Sequence, residues 1–135
     1  MSVVVDASVA LKWVLDEPGK DAADALLDED LIAPSLWLLE AANVLWQRRR
    51  RGELTATQAH ARLDELYNAP VATLPIEDHL RAASDLAALL DHPVYDCVYL
   101  ALAVAEDSYV VTADRRFHAA VERVEALQGR VRLLA

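Results

Sequence analysis

Two short apolar runs, each closing on an acid, constrain this chain most: "VVVD" at 3–6 and "YVVTAD" at 109–114. Runs this short, β-branched and without polar alternation, fit strands buried on both faces of a helix-covered parallel sheet. Between them lie strand-like "LIAP" (31–34) and "VATLPI" (71–76), and "VRLL" near the end reads as an edge strand. Helical segments fill the gaps. "ASVALKWVL" is closed by Pro18-Gly19 and followed by "DAADALLDE". A long helix over 34–52 has Ser35 as N-cap and Gly52 as its stop, and 55–68 opens on a Thr cap. "EDHLRAASDLAALLD", "YDCVYLALAVA" and "RRFHAAVERV" complete the set. Strands alternating with helices predict an α/β fold, three layers of α/β/α around a central, mostly parallel sheet. With 135 residues and no linker, repeat or low-complexity stretch, one domain over 1–135 is expected.

Composition narrows the function classes. No apolar run reaches the roughly 18 residues of a membrane span, and "MSVVVDAS" lacks the basic start of a signal peptide. The single cysteine, Cys97, allows no internal disulfide, so a cytoplasmic protein is expected. A formal net charge of −9 argues against gripping nucleic acid by bulk electrostatics and suits a binder of cations or of a basic partner.

Most of the 22 acidic residues stand among polar neighbours, but four do not. Asp6 and Asp114 close strand-like runs, and so fall at the carboxyl edge of a parallel sheet, where α/β proteins place ligands. Glu40 lies within "LWLLEAANVLW", with Trp37 and Val44 on its helix face. Asp96 opens the apolar segment "YDCVYLALAVA", where a helix N-terminus would by itself favour an acid. None of the four has an evident cationic partner three or four residues away on its own helix or strand, and burying an unpaired carboxylate costs several kcal/mol. Four such acids suggest a convergent cluster neutralised by a hard divalent cation, Mg²⁺ or Mn²⁺. Ser8, Asn43 and Thr112 stand near enough to support it.

Other chemistry is poorly represented. Cys97 has no basic neighbour in sequence and reads as a small core residue. His60, His79, His92 and His118 are scattered over apparently solvated faces without zinc-site spacing. No nucleophile elbow, Walker loop or dinucleotide fingerprint occurs. Trp13, Trp37 and Trp46 read as core or interface residues. The run Arg48, Arg49, Arg50, Arg51 either complements the negative end of its helix or tracks an RNA backbone.

The stretches "VVVDASVALKW", "APSLWLLEAANVLW", "YDCVYLALA" and "VVTADRRF" together resemble, in order and over about residues 3–118, the PIN-domain ribonucleases, in particular VapC-type toxins of toxin–antitoxin pairs. The resemblance implies an endoribonuclease dependent on Mg²⁺ or Mn²⁺, with Asp6, Glu40, Asp96 and Asp114 as its acids. It also implies a homodimer restrained by a cognate antitoxin. Some relatives carry a further acid just after the last motif, where this chain has Arg115 and Arg116, so a second metal site is in question. Those two arginines, with Arg48–Arg51, are candidate RNA contacts at the rim. For the antitoxin, the expected contacts are Leu11, Trp13 and Val14, beside Asp6.

Three alternatives compete. A receiver domain needs an acid ending the middle strand and a late lysine, but "VATLPI" has no such acid, and Lys12 and Lys20 lie early. A D-x-D phosphatase needs a second Asp that "DAS" lacks. A non-catalytic module that keeps the PIN fold for interaction alone stays open.

Overall fold

The computed structural model describes residues 2–135. Strands β1 (Val3–Val5), β2 (Leu31–Pro34), β3 (Val71–Leu74), β4 (Val110–Thr112) and β5 (Val131–Leu133) form one sheet in the order β3-β2-β1-β4-β5. Every neighbouring pair is parallel, so the expected mostly parallel sheet is parallel throughout. The three central strands are buried along their whole length, while β3 and β5 at the edges are partly solvated. This matches their sequences, since only the central strands lack an outward-facing polar residue within the buried run.

Seven helices connect them: α1 (Ala7–Ala10), α2 (Lys20–Ala25), α3 (Leu36–Arg50), α4 (Ala56–Tyr67), α5 (Leu80–Leu90), α6 (Val94–Ala105) and α7 (Arg115–Glu122). Parallel neighbours require crossovers, and right-handed ones put the helices between β1 and β3 on one face and those after β3 on the other. Accordingly α1 packs on α3, α3 on α4, and α6 on β1, β2 and β4 with α5 against it. Helix α6 is apolar on every side and is buried from Cys97 to Ala103, as a helix at the centre of a layer must be. Cys97 is a core residue, its thiol pushed up to about 11 by burial and by the Asp96 charge. Among the described residues no single helix is long and apolar enough to cross a membrane.

The ends of α3 and α4 are where the sequence puts them, with different outcomes for their caps. Thr55 and Gln58 form a reciprocal capping box at α4. At the end of α3, Gly52 (φ +77°) donates to Arg49 O and Glu53 N to Arg48 O, a left-handed stop that glycine alone enters without strain. Ser35 stands at the N-cap of α3 but makes no capping bond, because its backbone is already helical straight after β2. The two early helices are shorter than expected, each ending in a 3₁₀ turn, over Leu11–Trp13 and Leu26–Asp28.

The order of the strands fixes where a ligand can enter. From β1 the chain moves outward to β2 and β3, then returns across the sheet to β4 and continues outward to β5. The connections leaving β1 and β4 therefore diverge. A crevice opens at their carboxyl ends.

Candidate active site

Asp6 is the first residue past β1, at that crevice. Its backbone N–H donates to Val111 O (3.1 Å) and its carbonyl accepts from Val9 and Ala10, so the main chain is held by both β4 and α1. The carboxylate takes no part in capping α1. It is buried, and its Oδ2 accepts bonds from the Thr112 hydroxyl (2.6 Å) and the Ser8 hydroxyl (3.0 Å). Each hydroxyl is oriented in turn: Ser8 Oγ accepts from Ala113 N (3.1 Å) and Thr112 Oγ1 from Asp114 N (3.1 Å). Ser8 and Thr112, expected from the sequence beside the acids, are thus hydrogen-bonded to Asp6. Asn43 is exposed one turn beyond Glu40, and no hydrogen bond joins it to the acids among the described residues.

Glu40 projects from α3 and accepts at Oε1 from the hydroxyl of Tyr99 on α6 (2.6 Å). Burial pushes its carboxyl up to about 7, against the lowering effect of Tyr99 and with further upward pushes from the Asp6 and Asp96 charges. Burial likewise raises Asp6, the Thr112 and Ser8 bonds oppose it, and Asp96 adds to it. Tyr99 itself is held far above the ordinary phenol range by burial and by the Asp6 and Glu40 charges, so it acts only as a donor. Three acids from three elements thus share one electrostatic field.

Asp96 lies in the first turn of α6, and His92 Nε2 meets its Oδ2 at 2.6 Å. The His92 ring is stacked on Phe117 of α7, 5.2 Å between centroids, which fixes its aim. No partner was expected for Asp96 on its own helix, and the structure supplies one from outside it. His92 stands four residues earlier, just outside the helix, and not on a solvated face. Tyr99, three residues after Asp96, was the other residue hidden in the sequence: within an apolar run it reads as core, and its partner is 59 residues away.

Asp114 also serves as a helix cap. Its Oδ1 accepts from Arg116 N (2.9 Å) and Phe117 N (3.2 Å), capping α7. Its backbone N–H reaches Asp6 through the Thr112 hydroxyl. Among the described residues no three Asp, Glu, His or Cys side chains converge closely enough to enclose a metal ion. The donor chemistry nevertheless fits a hard divalent cation. Asp6, Glu40 and Asp96 offer only oxygen, and among the described residues neither Asp6 nor Glu40 has an ion-pair partner. Repulsion between buried carboxylates is what such a cation relieves.

The profile of the PIN domain family matches residues 3–122. The chain belongs to this family. Ribonuclease VapC3 of Pyrobaculum aerophilum is 36% identical over 121 residues, spanning 86% of this chain and 92% of that protein. Among solved structures, VapBC2 of Rickettsia felis bound to a DNA fragment from its promoter superposes with a TM-score of 0.70 at 14% identity, covering 100% of both chains. VapC20 of Mycobacterium tuberculosis, a toxin that cleaves the sarcin-ricin loop, gives 0.67 at 16% identity over 87% of this chain and 94% of that one. At such identities the structural likeness speaks for the fold, and the expected PIN-like three-layer architecture is the one found.

The remaining candidates of this PIN-domain protein separate by place. Arg48 is paired with Glu17 and, at 3.4 Å, with Glu53; Arg51 lies 3.9 Å from Glu53, and Arg50 stacks over Trp46. Eight to eleven residues beyond Glu40, about 12–16 Å along α3, this run finishes a helix and holds the loop after it. Arg115 and Arg116 are exposed beside Asp114, at the crevice. Of the contacts expected for a partner near Asp6, Leu11 is buried, while Trp13, which donates to Ala23 O (2.8 Å), and Val14 are half-buried against the core. The open apolar surface lies instead between α3, α5 and α6, a groove of about 530 Å³ lined by Leu36, Leu39, Ile76, Leu80, Tyr95 and Val98, with Glu40 on its edge.

Proposed function

We propose that this PIN-domain protein is an endoribonuclease that hydrolyses RNA phosphodiester bonds with the help of Mg²⁺ or Mn²⁺, and that it is the toxin of a toxin–antitoxin pair. The observation that carries the reading is Asp6: a buried carboxylate at the switch point, spared from capping, oriented by two hydroxyls and facing the charges of Glu40 and Asp96. The ribonuclease relative at 36% identity and the toxin–antitoxin neighbours support the same reading.

Asp6 and Asp96 are the proposed ligands, with Glu40 and Asp114 as direct or water-mediated ones. A divalent cation held by these carboxylates would supply neutralising charge for a phosphodiester oxygen and a lowered pKa for the water that acts as nucleophile. The chain's own groups do the positioning. The Thr112 and Ser8 hydroxyls hold Oδ2 of Asp6, His92 meets Oδ2 of Asp96, and Tyr99 holds Oε1 of Glu40. The free Oε2 of Glu40 serves to ligate or to orient a water, and a carboxyl poised at about 7 takes up a proton at neutral pH more readily than an ordinary glutamate.

Residues 1–135 act in this reading as one domain, since β5 (Val131–Leu133) joins the sheet beyond the family match at 3–122. The groove beside Glu40, with Leu39 73% and Tyr95 69% exposed, supplies apolar surface for a second copy or for an antitoxin helix. The cytoplasm, where RNA and antitoxin are made, is the proposed compartment.

One observation favours a non-catalytic interaction module: Asp114 is engaged in the α7 cap, and no three ligating side chains converge among the described residues. Incubating purified protein with mixed single-stranded RNA separates the two. The ribonuclease reading predicts cleavage with Mg²⁺ or Mn²⁺ and none with a chelator; intact RNA under every metal condition would leave the interaction module.

A further inference from the structure

A net charge of −9 leaves open how an RNA strand is held next to an acidic pocket. The answer must come from cations not already spent on carboxylates. Lys12, Lys20, Arg48, Arg51, Arg62 and Arg130 are all in ion pairs, and Arg50 and Arg132 lie over the rings of Trp46 and Tyr109. Among the described residues, that leaves Arg49, Arg81, Arg115, Arg116 and Arg123 without either kind of partner. Two of these, Arg116 and Arg123, line a single groove of about 380 Å³ between α7 and the end of α5.

The groove is built to leave its arginines reachable. Arg116 and Arg123 are seven residues apart, two turns on one face, so their backbones are spaced about 10 Å along the axis. Between them stand only Ala119 and Ala120, which leave the floor low. The opposite wall is Leu90, Asp91 and His92, so two guanidinium groups face one carboxylate. His92 is also the residue bonded to Asp96, at 2.6 Å. The inner end of the groove therefore abuts the acid cluster.

We infer that this groove binds the phosphodiester backbone of single-stranded RNA next to the scissile phosphate, with Arg116 and Arg123 each meeting a phosphate. The inference rests on the ribonuclease reading and adds the path of the strand: out of the crevice past His92 and along α7. Guanidinium forks suit phosphate oxygens, and contacts of this kind position a strand without reading its sequence. Arg123 thereby joins the residues that the sequence pointed to.

The test uses the full chain in the inactive Asp6→Asn background, with a labelled single-stranded RNA titrated over a range of salt. The double variant Arg116→Ala/Arg123→Ala is expected to bind at least about tenfold more weakly. It is also expected to reduce the slope of log affinity against log salt by about 1.4, or about 0.7 for each phosphate that no longer meets an arginine. Arg130→Ala, the same change of charge just before β5, at the amino edge of the sheet and opposite the crevice, is expected to alter neither. Lysine at both positions is expected to restore the slope, because the point charge returns. In the active chain the double variant is expected to raise KM and leave kcat at saturating RNA close to wild type. Wild-type affinity and slope in the double variant would overturn the inference, as would loss of antitoxin binding with RNA binding intact, which would make the groove a seat for an acidic peptide. If the active chain cleaves RNA while the double variant behaves as wild type, only the groove fails. If the active chain cleaves no RNA, the ribonuclease reading fails with it.

Discussion

Glu40 has one donor, the Tyr99 hydroxyl, and two negative neighbours, Asp6 and Asp96. Its carboxyl is raised from an ordinary 4.5 to about 7, first by burial. Below pH 4.5 it is protonated in both folded and unfolded chains. Between 4.5 and about 7 the unfolded chain ionises first, so metal-free stability falls as pH rises through that window, and it levels off above. A full shift is worth about 1.4 kcal/mol per pKa unit, but a carboxylate still touching water delivers less, on the order of 1 kcal/mol in all. Glu40→Gln keeps an acceptor for Tyr99 and removes the charge. Urea melts without metal at pH 5 and 7.5 should show a smaller decline in this variant than in wild type; an equal decline would place the pH sensitivity elsewhere. Individual residues were legible in unequal measure. Asp6 and Glu40 stand out as acids without local reason and Asp96 as one that a helix start also explains, whereas Tyr99 and His92 look ordinary until α3, α6 and α7 are assembled around them.

At the level of elements, the ends of α3 and α4 were readable because their signals are local: Gly52 at positive φ, Thr55 with Gln58 in a capping box. A Cβ at Gly52 would meet nothing within 4 Å, so Gly52→Ala tests backbone strain alone and should cost about 1 kcal/mol in chemical denaturation. An unchanged midpoint would mean that the turn relaxes to another conformation. Helix α6 carries the opposite kind of information, since its whole length from Cys97 to Ala103 is buried against the sheet. Leu100→Ala should cost roughly 2–5 kcal/mol, and more than any truncation at exposed Leu89. Asp114 shows where local reading stops. Following β4 by two residues, it looks like a fourth cluster acid, and the same position makes it the cap of α7. Both roles have the same sequence signature.

Across the whole molecule, the parallel sheet and its ligand edge followed from the alternation of short apolar strands with helices, because that pattern admits few topologies. The surfaces did not follow in this way. Leu11 has the same apolar character as Leu39 and Leu80, and only packing decides that it is buried while they are exposed. Charge is likewise a property of the assembled chain: Arg48 and Arg130 pair with carboxylates distant in sequence, while Asp6 and Glu40, which no cation pairs among the described residues, meet at the crevice. A cation there should stabilise the fold. At ten times its dissociation constant, Mg²⁺ or Mn²⁺ should add about 1.4 kcal/mol, seen as a rise in Tm, and Asp6→Asn should lose most of that rise. Equal rises in both proteins would mean that the cation binds elsewhere.

The central claim, that Asp6 and Asp96 belong to one catalytic site, is tested most directly by RNA cleavage with purified variants whose fold has been checked by circular dichroism. Wild type should cleave with Mg²⁺ or Mn²⁺, while Asp6→Asn and Asp96→Asn should each lose at least about a hundredfold in rate, as a neutral amide is a poorer partner for a hard cation. Cleavage at the wild-type rate by either folded variant would contradict the account.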